Sequence, residues 1–335
     1  MPLPTLPFDV VVEILSRLPV KILMQLQCVC KSWKSLISDP KFAKKHLRHA
    51  SQSLVLTVGE LDFVVIANPL SSVFTEATTT TIQLLFTTNE DVAFLWNPSI
   101  RKFTKLPSLE ERCPTTLCFS FGYDDLSHCY KVAVVCYPHT LVQGPVSNCR
   151  NLVKVHTLGT TSWRIIQDFP PNTLILNESG KFLRGAINWL AYRQRHSSCW
   201  VIMSLDLEKE FHREIPQPDY GGINVLSLNI GVLRDCLCIF SNADTFSDVW
   251  LMKEYGNKDS WTKLFRLPHT RNLGSWPLVY ALYVSNDDQV LFDIEREELV
   301  VYNFRDGTFK DPGIQIIDKW MESEVYHESL ISPCF

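Results

Sequence analysis

Leu205-Asp206-Leu207-Glu208-Lys209-Glu210-Phe211, with Pro216 five residues on, reads as a strand end, a polar turn, an aromatic residue and a proline. The same order recurs four more times. Leu95-Trp96-Asn97-Pro98 leads to Phe103 and Pro107, and residues 155–158 lead to Trp163 and Pro170. Residues 250–255 lead to Trp261 and Pro268, and Val301-Tyr302-Asn303 leads to Phe309 and Pro312. The five aromatic residues are 60, 48, 50 and 48 positions apart. A period of roughly 40–50 residues built from short strands predicts propeller blades. A lone four-stranded sheet cannot bury both faces, whereas a ring of blades buries each face against a neighbour and leaves only short edges.

The region is therefore expected to be mostly β, with about six blades; seven are also compatible with the repeat. Further strands are predicted at 54–58 and 63–67, and residues 328–332 also read as strand-like. One blade would then be closed by both ends of the region. Asn97-Pro98 suits a tight turn. Gly122 and Gly185 suit a bulge or a close backbone approach. The blade-end Trp and Phe residues are expected in the core, because aromatics bury large areas.

Upstream the texture changes. Pro7 and Asp9 fit a helix start. Val11, Ile14, Leu15 and Leu18 follow at helical spacing. Pro19 breaks that helix and opens a second, with Ile22, Leu23 and Leu26 on its stripe. Val29, Trp33, Leu36 and Ile37 make a third, and Asp39-Pro40 starts a fourth that carries Phe42 and Leu47. These few short helices cannot build a self-sufficient core. Their apolar faces need a partner or the domain that follows.

The formal charge is −4, unevenly spread. Residues 1–50 hold eight Lys/Arg and three acids, a balance of +5, which leaves −9 for the remainder. Such asymmetry points to two regions with different partners, and a basic patch steers association with an acidic protein. The eleven Cys sit mostly in hydrophobic runs, such as Cys118, Cys136, Cys199, Cys236 and Cys238. The first residues do not resemble a signal peptide, and no run nears the roughly 20 apolar residues of a membrane helix. A reducing compartment, cytoplasm and/or nucleus, is the expectation.

Leu6-Pro7-Phe8-Asp9, Glu13-Ile14-Leu15, Leu18-Pro19-Val20-Lys21, Cys28-Val29-Cys30-Lys31-Ser32-Trp33, Leu36-Ile37 and Asp39-Pro40-Phe42 together resemble an F-box. Leu26 stands where many relatives carry an aromatic. The resemblance implies a helical domain over 1–48 that docks a Skp-type adaptor and, through it, a cullin. It assigns adaptor binding to Leu6, Pro7, Ile14, Leu15, Leu18, Pro19, Val20, Leu23, Cys28, Val29, Cys30, Lys31, Trp33 and Leu36.

Residues 50–335 resemble the kelch-like, F-box-associated propeller of a large plant F-box family. The segments that carry this are Leu95-Trp96-Asn97-Pro98-Ser99, Phe121-Gly122-Tyr123-Asp124, Tyr130-Lys131-Val132, Gly185-Ala186-Ile187-Asn188-Trp189-Leu190, Leu205-Asp206-Leu207 and Glu328-Ser329-Leu330. The Gly-rich segment often found before the first Trp-Asn-Pro unit is replaced by Thr87-Thr88-Asn89-Glu90.

No catalytic or metal signature competes with this. Neither Cys28/Cys30 nor Cys236/Cys238 has a second ligand pair at zinc spacing, and both pairs are expected to pack. There is no G-x-S-x-G elbow, P-loop or G-x-G-x-x-G. Asp124-Asp125 suits a turn better than acid–base work. The expectation is a non-catalytic receptor of a ubiquitin ligase, without cofactor, metal, nucleic acid or membrane. The target is unknown, and residues 139–151 and 193–198 are candidate target loops. The alternatives are a propeller interaction protein with no role in ubiquitination, adaptor-bound or free, and a propeller enzyme.

Overall fold

In the computed structural model, the described residues are 6–58, 62–74, 82–87, 93–109, 115–138, 151–170, 173–175, 179–193, 199–269, 279–314 and 321–333. By packing, the chain divides into two compact units: Met1–Ser108 with Pro312–Phe335, and Leu109–Asp311.

The first unit begins with four short helices: α1 (Phe8–Leu15), α2 (Val20–Leu26), α3 (Lys31–Ile37) and α4 (Pro40–Leu47). Pro7 and Pro19 stand at the N-caps of α1 and α2. Neither has a side-chain cap, and Asp9 lies within the first turn of α1 instead of capping it. Asp39 does cap, accepting from the Lys41 N–H at 2.6 Å. Leu15, Leu23, Ile37 and Phe42 form the core of this module. His46 Nε2 lies 2.9 Å from the Leu18 carbonyl and ties α4 to the α1–α2 turn.

Strands β1 (Gln52–Val58) and β2 (Asp62–Pro69) follow, then α5 (Leu70–Phe74) and β3 (Ile82–Thr87). Next comes a hairpin of β4 (Phe94–Asn97) and β5 (Lys102–Lys105).

Among the described residues, the second unit holds four sheets. The first contains β6 (Thr115–Asp124), β7 (Cys129–Pro138), β8 (Leu152–Thr157) and β9 (Arg164–Ile165). The second contains β10 (Thr173–Ile175), β11 (Lys181–Leu183), β12 (Ala186–Arg193), β13 (Cys199–Asp206) and β14 (Phe211–Ile215), with β11 pairing beside β10 on β12. The third contains β15 (Ser227–Leu233), β16 (Cys236–Asn242), β17 (Phe246–Met252) and β18 (Trp261–Pro268). The fourth contains β19 (Val279–Val284), β20 (Gln289–Ile294), β21 (Glu298–Asn303) and β22 (Thr308–Lys310). The chain then returns to the first unit, where β23 (Met321–His327) pairs antiparallel with β1.

The fold is thus short helices followed by a mostly-β propeller. Each repeat unit is a hairpin: β4–β5, β8–β9, β13–β14, β17–β18 and β21–β22. Among the described residues there are five blades, not six, because the first repeat unit contributes only the two-stranded β4–β5. One sheet is closed from both ends of the propeller, in the order β23-β1-β2-β3. Its closing strand is Met321–His327, however, and the strand-like residues 328–332 are irregular.

Within the second unit, adjacent sheets share apolar layers. Ala133, Val135 and Val155 of the first sheet pack with Ile187, Trp189 and Met203 of the second. Phe240 and Phe265 pack with Phe292 and Tyr302 between the third and fourth. Gly122 lies at a close approach: a Cβ there would meet the Phe182 ring at 2.5 Å and Leu207 at 2.6 Å. Gly185 instead holds a turn with φ +79°.

The blade-end aromatics depart from expectation. Trp261 is buried, but Phe103, Phe211 and Phe309 are exposed. All four lie on the last strand of their hairpins, and only Trp261 is covered, with its Nε1 donating to the Pro216 carbonyl at 2.8 Å. Phe309 packs locally on Tyr302, with ring centroids 4.7 Å apart.

Candidate functional site

The four helices turn apolar groups both inward and outward. Leu15, Val20 and Leu23 are buried, and Leu18, Trp33 and Leu36 are half-buried on the module's core. All of these except Val20 pack in the cluster that joins the helices. Leu6, Pro7, Ile14, Pro19, Cys28, Val29, Cys30 and Lys31 are exposed. The adaptor-binding set predicted from sequence therefore divides into a scaffold and a surface.

Three further residues belong to that surface and were missed. Phe8, Val10 and Ile22 are exposed at 58%, 42% and 39%. Val10 and Ile14 lie four apart on one face of α1, and Leu6 lies four before Val10. The signal was present in the sequence. Phe8, Val10, Val11, Val12, Ile14 and Leu15 spread wider around α1 than one core-facing stripe needs, leaving only Asp9 and Glu13 as its polar positions.

Val29 is not on a helix. It projects, 62% exposed, from the junction between α2 and α3. Cys28 and Cys30 flank it and are also exposed, which corrects the expectation that they pack. Cys30 Sγ lies 3.1 Å from Ser32 Oγ, and that contact, with the Trp33 N–H, holds the thiol below its ordinary pKa. Cys236 and Cys238 do pack, half-buried and buried on β16.

Charge frames this surface. Arg17, Lys21, Lys31 and Lys34 are exposed. Glu13 pairs with Lys45 at 2.6 Å and with Arg17 at 2.8 Å. Hydrogen bonds from Lys45 and then Arg17 hold its carboxyl at about 2. Apolar groups rimmed by charge are the composition of a protein-binding patch.

The propeller side shows how the family-like motifs are used. Asn97 Oδ1 accepts from the Ser99 N–H at 2.9 Å, which sets the turn after β4. Its Nδ2 donates to the Ser329 and Ile331 carbonyls at 2.9 and 2.8 Å. Asp124 accepts from the Leu126 and Ser127 N–H groups and from Ser127 Oγ, a turn role as expected. The sequence did not reveal its ion pair with Lys131, at 2.8 Å and almost fully buried. Lys131 also reaches Glu210 at 3.2 Å and the Leu207 carbonyl at 2.6 Å, so it joins the first two sheets of the second unit. Burial raises the Asp124 pKa, but hydrogen bonds from Lys131 and Ser127 outweigh that and bring it to about 2.

Among the described residues, no three His, Cys, Asp or Glu side chains gather as metal ligands, and no helix is long and apolar enough to cross a membrane. Most of 139–151 and 193–198 lies outside the described residues. Each segment joins the second and third strands in the order of its sheet, β7 to β8 and β12 to β13.

Comparison with known proteins decides the family. Residues 3–45 match the F-box domain, and residues 59–318 match the F-box associated beta propeller domain. The chain belongs to the F-box proteins that carry this propeller. Among similar F-box proteins of Arabidopsis thaliana, the F-box/kelch-repeat protein At3g23880 is 30% identical, over 98% of this chain and 96% of that one. F-box protein CPR1 is 28% identical over 90% and 85%. A solved oligogalacturonate lyase in complex with manganese aligns over 74% of this chain and 70% of that one, at 9% identity and a TM-score of 0.44. That likeness carries no functional argument. An F-box implies binding to a Skp-type adaptor, and F-box proteins are typically non-catalytic adaptors.

Proposed function

We propose that this chain is the substrate-recognition subunit of an SCF-type (Skp–cullin–F-box) ubiquitin ligase. The F-box binds the Skp-type adaptor and reaches cullin through it, and the propeller holds a target protein. The chain itself carries no catalytic group. Its work is positional: it raises the effective concentration of a target lysine near charged ubiquitin. The cytoplasm and/or nucleus, where the other subunits would be met, is the proposed location.

The observation that carries this reading is the outward apolar surface of Leu6, Phe8, Val10, Ile14 and Val29 on an F-box. Leaving large apolar side chains in water forgoes about 1.5–3 kcal/mol for each one that could be buried. A partner that covers them recovers it.

The test is co-expression with a Skp-type adaptor and the N-terminal half of a cullin, followed by size-exclusion chromatography. A stoichiometric three-protein peak is expected. A monodisperse chain that elutes alone while adaptor and cullin co-elute would overturn the assignment.

A further inference from the structure

The core of the four helices is not made by the helices alone. Leu330, close to the C-terminus, packs against the cluster of Leu15, Leu23, Ile37 and Phe42. The residues around it are fastened on both sides. The Glu328 N–H donates to the Ser51 carbonyl at 2.9 Å, and Ser53 Oγ donates to the Glu328 carboxylate at 3.1 Å. Asn97 Nδ2 holds the Ser329 and Ile331 carbonyls, and the Ser329 N–H donates to Ser99 Oγ at 3.1 Å. The segment after β23 thus touches the helical core, the start of β1 and the β4–β5 hairpin, all within the first unit.

We infer that residues 328–331 are a brace belonging to the docking module, and that Leu330 is a positioning residue for adaptor binding. The physical need is plain. Four short helices around a central cluster of four buried side chains are too small a core to be rigid alone. One more apolar side chain, delivered by a segment with fixed backbone, closes the module and holds the inward residues of α1 in place. The outward residues of α1, Val10 and Ile14, lie on the same helix and are fixed with them. Irregular backbone suits this task better than a strand. Asn97 and Ser99 bind peptide groups that a strand partner would otherwise occupy.

This inference rests on the docking role proposed above, so the test has one readout that needs the adaptor and one that does not. Full-length protein is prepared as parent, Leu330→Ala, Leu330→Met and Asn97→Ala. Amide hydrogen exchange is followed in α1–α4 without adaptor, and affinity is then measured for a purified Skp-type adaptor. Leu330→Ala is expected to speed exchange across α1–α4 and weaken adaptor binding, each by roughly tenfold. Leu330→Met should restore both, and Asn97→Ala should shift both in the same direction by less. Exchange in β15–β18 should not change, which shows that the propeller is folded. Parent-like exchange of α1–α4 in Leu330→Ala would overturn the brace, as would faster exchange with unchanged affinity. If the parent binds no adaptor, the docking role fails, while the exchange data still decide whether residues 328–331 brace the helices.

Discussion

The helical module and the second unit differ most in what they place at the surface and what they bury. In the helices, Leu6, Phe8, Val10, Ile14 and Val29 are left in water, and the ion pairs of Glu13 lie at the surface. In the second unit, Trp189, Phe240 and Phe292 are sealed between sheets, and the Asp124–Lys131 pair is almost fully buried. One region keeps much of its apolar surface in water; the other also exposes Leu126, Ile165 and Phe211 but encloses an ion pair in its interior. The difference predicts which substitutions destroy stability and which destroy only association.

The largest effect should come from the second unit's core. Trp189 is 1% exposed, and its Nε1 donates to Ser120 Oγ at 3.0 Å. Trp189→Ala should cost about 3–5 kcal/mol in denaturant unfolding. A loss below about 1 kcal/mol would break the comparison.

Next in size is the buried cation. Lys131→Ala leaves Asp124 facing Glu210 without the shared ammonium. About 3 kcal/mol should be lost, more than for removal of the exposed Arg17, whose pair with Glu13 is screened by water. Unfolding of the two variants side by side measures this ordering.

Acid should find the same pair. The Asp124 carboxyl is held at about 2 in the folded chain, against an ordinary 3.8. A folded pKa below the unfolded one stabilises at higher pH, so the contribution is complete above about pH 4 and disappears as pH falls towards 2. Roughly 2 kcal/mol should vanish across that window in the parent and be missing from Asp124→Asn. Parallel pH profiles in the two proteins would contradict the assignment.

The smallest effect is local. Arg234 and Asp235 form the two-residue turn between β15 and β16, with φ +50° and +54°. Two-residue hairpins of this kind favour Gly at the second position. Asp235→Gly should therefore raise stability by about 0.5–1 kcal/mol, while the Arg234–Asp288 pair stays in place.

What could be read in advance follows from range along the chain. The helices were readable because Pro7, Pro19, Asp39 and Pro40 punctuate them within a few residues. The repeat was readable because β8–β9, β13–β14, β17–β18 and β21–β22 are hairpins, whose turns have their own residue chemistry. Pairings across the chain were not. Lys131 and Glu210 are 79 positions apart, and Asn97 and Ser329 are 232 apart. No periodicity links residues so distant. The exposure of Phe103, Phe211 and Phe309 was hidden for a related reason: an aromatic residue on the last strand of a sheet can be exposed like these or buried like Trp261, depending on what distant chain packs over it. At the docking surface, helical spacing put Ile14, Ile22 and Val29 on the same stripes as Leu15, Leu23 and Ile37, and only the packing of the helices separates the exposed residues from the buried ones.

The central claim is that the outward apolar residues of the helices serve association and not folding. Adaptor affinity of Ile14→Asp combined with Val29→Asp, measured beside denaturant unfolding of the same protein, tests it most directly. The account predicts at least roughly a hundredfold loss of affinity with stability within about 1 kcal/mol of the parent. Unchanged affinity, or a loss that appears only as the chain unfolds, would contradict it.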